Sequence, residues 1–211
     1  MRPYKTVKHA SRIEFTLNKS RFIGRCFPLN SEEEALRLLA DIKKEHWDAT
    51  HNCYAYALGP GFETARFSDD GEPGGTAGLP MLEVLKSRGV TDALAVATRY
   101  FGGVLLGAGG LVRAYSRTAS EAVCAAGIVH MRPARRVEIR LDYARYGAVE
   151  GYVRQNAGEV HCEFAENVGV SALVRQERVE TFFKEIAERT DGRALLTLLG
   201  EAYLREEEQG D

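Results

Sequence analysis

The 211-residue sequence is poor in the features that take a chain out of the ordinary globular class. No apolar run approaches the ~18 residues needed to cross a bilayer, and the opening MRPYKTVKHASR lacks the apolar stretch of a secretion signal. A cytosolic protein that stays out of membranes is therefore expected. There are four cysteines (Cys26, Cys53, Cys124, Cys162), none in a Cys-x-x-Cys pair, and five histidines with no metal-ligand spacing. Reduced, buried thiols follow, and neither a disulfide framework nor a zinc site does. No G-x-x-x-x-G-K-[ST] loop occurs, and Gly107-Ala108-Gly109-Gly110 does not complete G-x-G-x-x-G, so nucleotide hydrolysis is not supported. Asp69-Asp70-Gly71-Glu72 lacks EF-hand spacing. No cofactor, metal or catalytic residue is assigned.

A net charge of -2 hides a polarity along the chain. Residues 1–135 hold 18 Lys+Arg against 14 Asp+Glu, whereas 136–211 hold 10 against 16. Seven bases precede residue 26 with Glu14 as the single acid, a distribution suited either to steering a polyanion or to a solvated basic tail. Glycine is uneven too. Twelve of 21 lie from Gly59 to Gly110, which marks a loop-rich functional surface or a tightly turned core.

Periodicity divides the rest. Strands are predicted over 13–17 and 21–29 around Asn18-Lys19-Ser20, then a helix to about Trp47 opened by a capping box at Ser31 and Glu34. Strands follow at 51–58 and near 64–67. A helix is predicted from about Ala77 to Gly89, a buried strand over 92–100, and a helix over 111–126. Residues 128–135 read as a linker. Beyond it the order β-α-β-β-α-β is the ferredoxin-like arrangement. The fold class expected is α+β in two domains, 1–132 and 133–211.

Chemistry concentrates in the first domain. Strand, Gly-Gly, Gly-rich turn and helix succeed one another from Arg99 to Arg117, so Gly102, Gly103 and the helix N-terminus offer an anion unpaired N–H groups, with Arg113 and Arg117 four apart on one face. Close helix-to-sheet packing explains the same glycines. Arg99 ends an apolar run and needs a partner, for which Asp69, Asp70 and Glu72 are candidates. His51 and Cys53 share a strand face as a possible base and thiol, or as core residues. Lys19 and Arg21 flank a hairpin tip suited to phosphate or an acidic protein patch. The downstream domain has no RNP1-like string and an acidic balance, which favours protein contact over RNA.

Four blocks, Lys19-Ser20-Arg21-Phe22, His51-Asn52-Cys53-Tyr54-Ala55, SDDGEPGGTAG (68–78) and RYFGGVLLGAGGLVRAY (99–115), resemble the YigZ/IMPACT family. The resemblance extends over nearly the whole chain. It implies a first domain folded like the second domain of a small-subunit ribosomal protein and domain four of elongation factor G, and a second domain like another domain of that factor. Eukaryotic relatives act in translational control by competing for an activator of an initiation-factor kinase, and bacterial ones are suspected of binding RNA or ribosomes. Carried over by position, Lys19, Arg21, His51, Asp69, Asp70, Glu72, Arg99, Arg113 and Tyr115 form one surface. The sequence departs from the family at Leu79, where relatives often carry a base, and at Leu105, where some carry Lys. The resulting expectation is a non-enzymatic, translation-associated protein that binds RNA or a ribosomal partner without reading DNA sequence. Two alternatives stay open: an enzyme acting on a small phosphorylated or peptide-like substrate in a cleft near His51, and a protein-interaction module.

Overall fold

The computed structural model describes residues 1–207 and divides into two compact units, one of Tyr4–His130 and one of Met131–Glu206 with Met1–Pro3. The first opens with β1 (Tyr4–Val7), which was not foreseen in the basic N-terminal stretch. Lys5 accepts a backbone bond from Thr91, and Val7 is buried in the core. The hairpin β2 (Ser11–Leu17) and β3 (Ser20–Pro28) turns on Asn18 and Lys19, both at positive φ, the twist that a two-residue hairpin loop requires.

Helix α1 (Glu32–Glu45) starts where expected. Ser31 Oγ accepts from Glu34 N at 3.2 Å, but the Glu34 carboxylate returns to Asn30 N rather than to the cap residue. Strands β4 (His51–Leu58) and β5 (Thr64–Ser68), helix α2 (Gly78–Ser87), strand β6 (Ala93–Tyr100) and helix α3 (Gly107–Ala126) complete the unit. The sheet order is β2-β3-β6-β4-β5, with every neighbouring pair antiparallel. Helices α2 and α3 bury Met81, Leu85, Leu111, Tyr115 and Val123 against one face, together with Phe22, Cys53 and Ala95. Helix α1 covers only part of the other face, where Leu39 and Ile42 meet Tyr56, Leu94 and Val96.

Residues 128–135 are not a linker. They form the first half of β7 (Ile128–Leu141), with Val129 and Ala134 fully buried. From there run α4 (Tyr143–Asn156), β8 (Gly158–Phe164), β9 (Val168–Arg175), α5 (Val179–Arg189) and β10 (Leu195–Glu207). Strand β7 lies between β10 and β9, and β9 pairs β8, which is the ferredoxin-like order. The core of this unit is apolar, from Val137 and Ile139 through Val149 and Val153 to Phe182 and Ile186. All four cysteines are free. Cys26 and Cys53 are buried as expected, whereas Cys124 is exposed and Cys162 half-buried. Among the described residues no helix is long and apolar enough to cross a membrane.

Candidate functional site

The four motif blocks converge on one buried carboxylate. Strand β6 carries Arg99 to the edge of the helix-covered face, where cross-strand register sets it beside Phe22 of β3 and His51 of β4. The turn after β5 brings Glu72 to meet it. Arg99 Nη1 donates to Glu72 Oε1 at 2.6 Å, and the hydroxyl of Tyr115, two turns into α3, donates to the same oxygen at 2.7 Å. His51 Nε2 lies 3.7 Å from it. The side chains of Arg99 and Glu72 are only 5% and 4% exposed, so the pair is desolvated and each charge depends on the other. The guanidinium also sits over the rings of Phe22 and Phe101, and among the described residues its Nε has no hydrogen-bond partner.

Around this pair the loops are tied by backbone contacts. Ser20 Oγ accepts from Arg99 Nη2 at 3.1 Å and from Gly102 N at 3.3 Å, joining the hairpin to the Gly-Gly segment. A Cβ on Gly102 would stand 2.0 Å from the Lys19 carbonyl, so that position admits no side chain. His51 Nδ1 must carry its proton, because its partner at 2.9 Å is the Asp70 carbonyl. Asp70 Oδ2 accepts from Asn52 N at 2.6 Å, and Lys43 pairs with its other oxygen at 3.1 Å. Asp69 accepts three backbone N–H groups, from Gly75, Ala77 and Gly78. Burial pushes its carboxyl upward, but the three donors outweigh this and hold it below the usual value.

The expected surface therefore separates into an inner and an outer set. His51, Asp69, Asp70, Glu72, Arg99, Gly102 and Tyr115 form the inner set. Arg99 does not present its guanidinium to solvent, as expected of a phosphate contact; it is spent on Glu72 and Ser20 and positions the loops instead. The outer set is dispersed. Lys19 stands at the hairpin tip and Arg113 on the exposed side of α3, and among the described residues neither has an ion pair. Arg21 is held by Glu14 at 2.7 Å, and Arg117 by Glu121 at 2.7 Å while lying over Phe15. Gly103 takes φ 81° in the exposed segment that presents Phe101, Val104 and Leu105. The helix begins at Gly107, four residues before its expected start, without a side-chain cap.

Ser20 was missed, although it lies inside a quoted motif. Its signal was only a small hydroxyl residue opening a strand. The Cys53 thiol does not form a base pair with His51. It donates to the Asp69 carbonyl at 2.9 Å, and burial pushes it up to about 12, which opposes a thiolate nucleophile. Among the described residues no cluster suited to a metal ion is present.

Comparison with known proteins agrees with this organisation. The Impact N-terminal domain matches residues 18–123, which hold every member of the buried hub, and a domain of unknown function, DUF1949, matches 139–193 within the ferredoxin-like unit. The IMPACT family member YvyE of Bacillus subtilis is 42% identical over 194 residues, covering 90% of this chain and 88% of its own. The IMPACT family member YigZ of Escherichia coli is 32% identical, covering 88% and 92%. The crystal structure of a hypothetical protein, 28% identical, superposes with a TM-score of 0.61 over 95% of this chain and 98% of that one. Both domain matches and near full-length relatives lead to one conclusion: the chain belongs to the IMPACT family.

Proposed function

We propose that this protein is a non-enzymatic, translation-associated factor that binds RNA or a ribosomal partner through the Gly-rich end of its first unit. The supporting observation is the convergence of four separate blocks on the Glu72–Arg99 pair. A buried ion pair is a poor way to gain stability, because the desolvation of both charges offsets their attraction. It is an effective way to fix loops. Here it locks the hairpin tip, the 69–78 turn and the Gly102–Leu106 segment together, while Lys19 at the tip, Arg113 on α3 and the apolar Phe101, Val104 and Leu105 stay exposed. Cations on fixed backbone suit phosphate, and the N-terminal amides of α3 add a partial positive charge.

Co-sedimentation of the intact chain with ribosomes and with total RNA, at low and high salt, tests the reading. Salt-sensitive pelleting is expected, and Arg113→Ala should weaken it and lower the salt slope by about one. Absence of pelleting at any salt overturns RNA and ribosome binding alike. Pelleting that persists at high salt would instead favour apolar protein contact.

A further inference from the structure

Strand β10 ends its sheet on the side away from β9, and its first half lacks what guards the other sheet edges. Among the described residues β7 is the one strand that pairs it. The outer row of backbone N–H and C=O groups is therefore open to a further strand, an event that edge strands usually block with charge. Edge strand β2 has Arg12 and Glu14, β5 has Arg66, and β8 has Glu159 and Glu163. Residues 194–200 of the β10 segment, ALLTLLG, hold neither a charge nor a proline.

That stretch is apolar on both faces. Ala194 and Leu196 pack against the core of the second unit, so alternation puts Leu195, Thr197, Leu199 and Glu201 on the uncovered face. Leu195 is 63% exposed, Leu199 53%, and Leu198, on the side of Leu196, still 48%. A continuous apolar run is the pattern of an interior strand, and here it stands at an edge. A further strand laid along it would make it interior.

The flanking charges select that strand. Arg193 precedes the run, exposed and, among the described residues, without an ion pair. Glu201 follows it with its side chain 53% exposed, 3.4 Å from Arg135. When two copies of the segment run antiparallel about a two-fold axis at Thr197, Arg193 of each copy faces Glu201 of the other. Leu195 then faces Leu199, and Leu196 faces Leu198. A slip of two residues one way sets Leu195 against Glu201, and the other way sets Asp191 against Glu201; a slip of one sends every side chain to the wrong face. The segment is thus complementary to itself in a single register, which a foreign strand would not require.

We propose that two copies of this chain associate through this edge, β10 against β10, extending one antiparallel sheet across both. The interface is isologous, so each Arg–Glu pair occurs twice. The inference concerns the second unit and does not depend on the RNA reading.

Sedimentation velocity of the intact chain, from micromolar concentration upward, is expected to show a monomer–dimer equilibrium. Arg193→Glu sets acid against acid at both ends of the interface and Glu201→Arg sets base against base, so each should weaken the dimer about tenfold or more. Mixed in equal amounts, the two variants restore an Arg–Glu pair at both ends of a heterodimer, and the dimer should return. Leu199→Lys puts a charge into the apolar run and should abolish dimerisation. All three substitutions fall on exposed side chains, and circular dichroism verifies the fold. An intact chain that stays monomeric at every concentration overturns the proposal and leaves the edge to a strand of another protein. A dimer indifferent to Arg193→Glu or to Leu199→Lys forms elsewhere and overturns it too. Charge variants that weaken the dimer without rescue on mixing overturn the antiparallel two-fold at Thr197.

Discussion

The two units reach stability by different means. Among the described residues the buried polar groups Ser20, His46, Asn52, Glu72, Thr76, Thr91, Thr98, Arg99 and Thr118 all belong to the first unit, and the second has Thr190 alone. The core of the second is a layer of valines with Phe182 and Ile186. Burial of apolar area is non-directional and tolerates volume-conserving exchange. A desolvated Arg–Glu pair tolerates little, because loss of either partner strands a charge. The difference teaches where this chain has been shaped for something other than folding. The second unit is stabilised by filling space, and the first sacrifices some of that efficiency to fix its loops.

Breaking the charge pair should produce the largest effect. Glu72→Ala leaves Arg99 buried without its counter-ion and should cost about 3–5 kcal/mol, read from urea denaturation of the full chain. The double variant Glu72→Ala/Arg99→Met removes both charges and should recover part of that loss. If the double variant is as unstable as the sum of the two single ones, the pair is not coupled and the contrast between the units fails. In the second unit Ile186→Val, which leaves a small void in a fully apolar site, should cost only about 0.5–1.5 kcal/mol.

Gly102→Ala comes next. A methyl group there would collide with the Lys19 carbonyl, so the hairpin tip must shift, at about 1–3 kcal/mol. The substitution also separates two roles of the Gly-Gly motif. Gly103, at positive φ with open space around its would-be Cβ, is constrained by its backbone alone. Loss of stability in Gly102→Ala accompanied by lost ribosome pelleting would show that the hairpin tip must be in register to bind. Lost stability with intact pelleting would confine Gly102 to folding.

The same contrast decided what could be read from sequence. Alternation in VEIRLDY and the β-α-β-β-α-β order revealed the second unit, because a face buried by apolar packing writes a period of two or 3.6 into its strands and helices. Periodicity failed at 128–135, where Pro133 and the basic residues around it obscure the buried Val129 and Ala134. It placed the start of α3 four residues late, since Gly107, Gly109 and Gly110 have poor helix propensity and the first buried residue of the helix is Leu111. In the site, one inference was available from burial physics: a charge at the end of an apolar run needs a partner, and Glu72 is that partner. That Arg99 would be enclosed, with Ser20 as its second ligand, could not be read, because enclosure depends on three loops meeting from distant positions.

The smallest effect probes the rim of the hub. Asp69 holds the turn between β5 and α2 by accepting from Gly75, Ala77 and Gly78, and those charge-assisted bonds keep its carboxyl ionised below the ordinary 3.8. A carboxyl whose folded pKa is depressed adds stability that is present above its unfolded pKa and disappears as pH falls through the folded one. Asp69→Asn keeps the shape, loses the charge, and turns one acceptor oxygen into a donor facing N–H groups. At pH 7 it should cost about 1 kcal/mol, in the range of a lost helix-cap bond. The gap between the native chain and the variant should then narrow as pH drops below 3.8, because the native carboxyl is neutralised while the amide does not titrate. Denaturation curves of both proteins across that range measure the gap directly. A gap independent of pH would mean that geometry, not charge, secures the turn, and the hub would then reduce to its one buried pair.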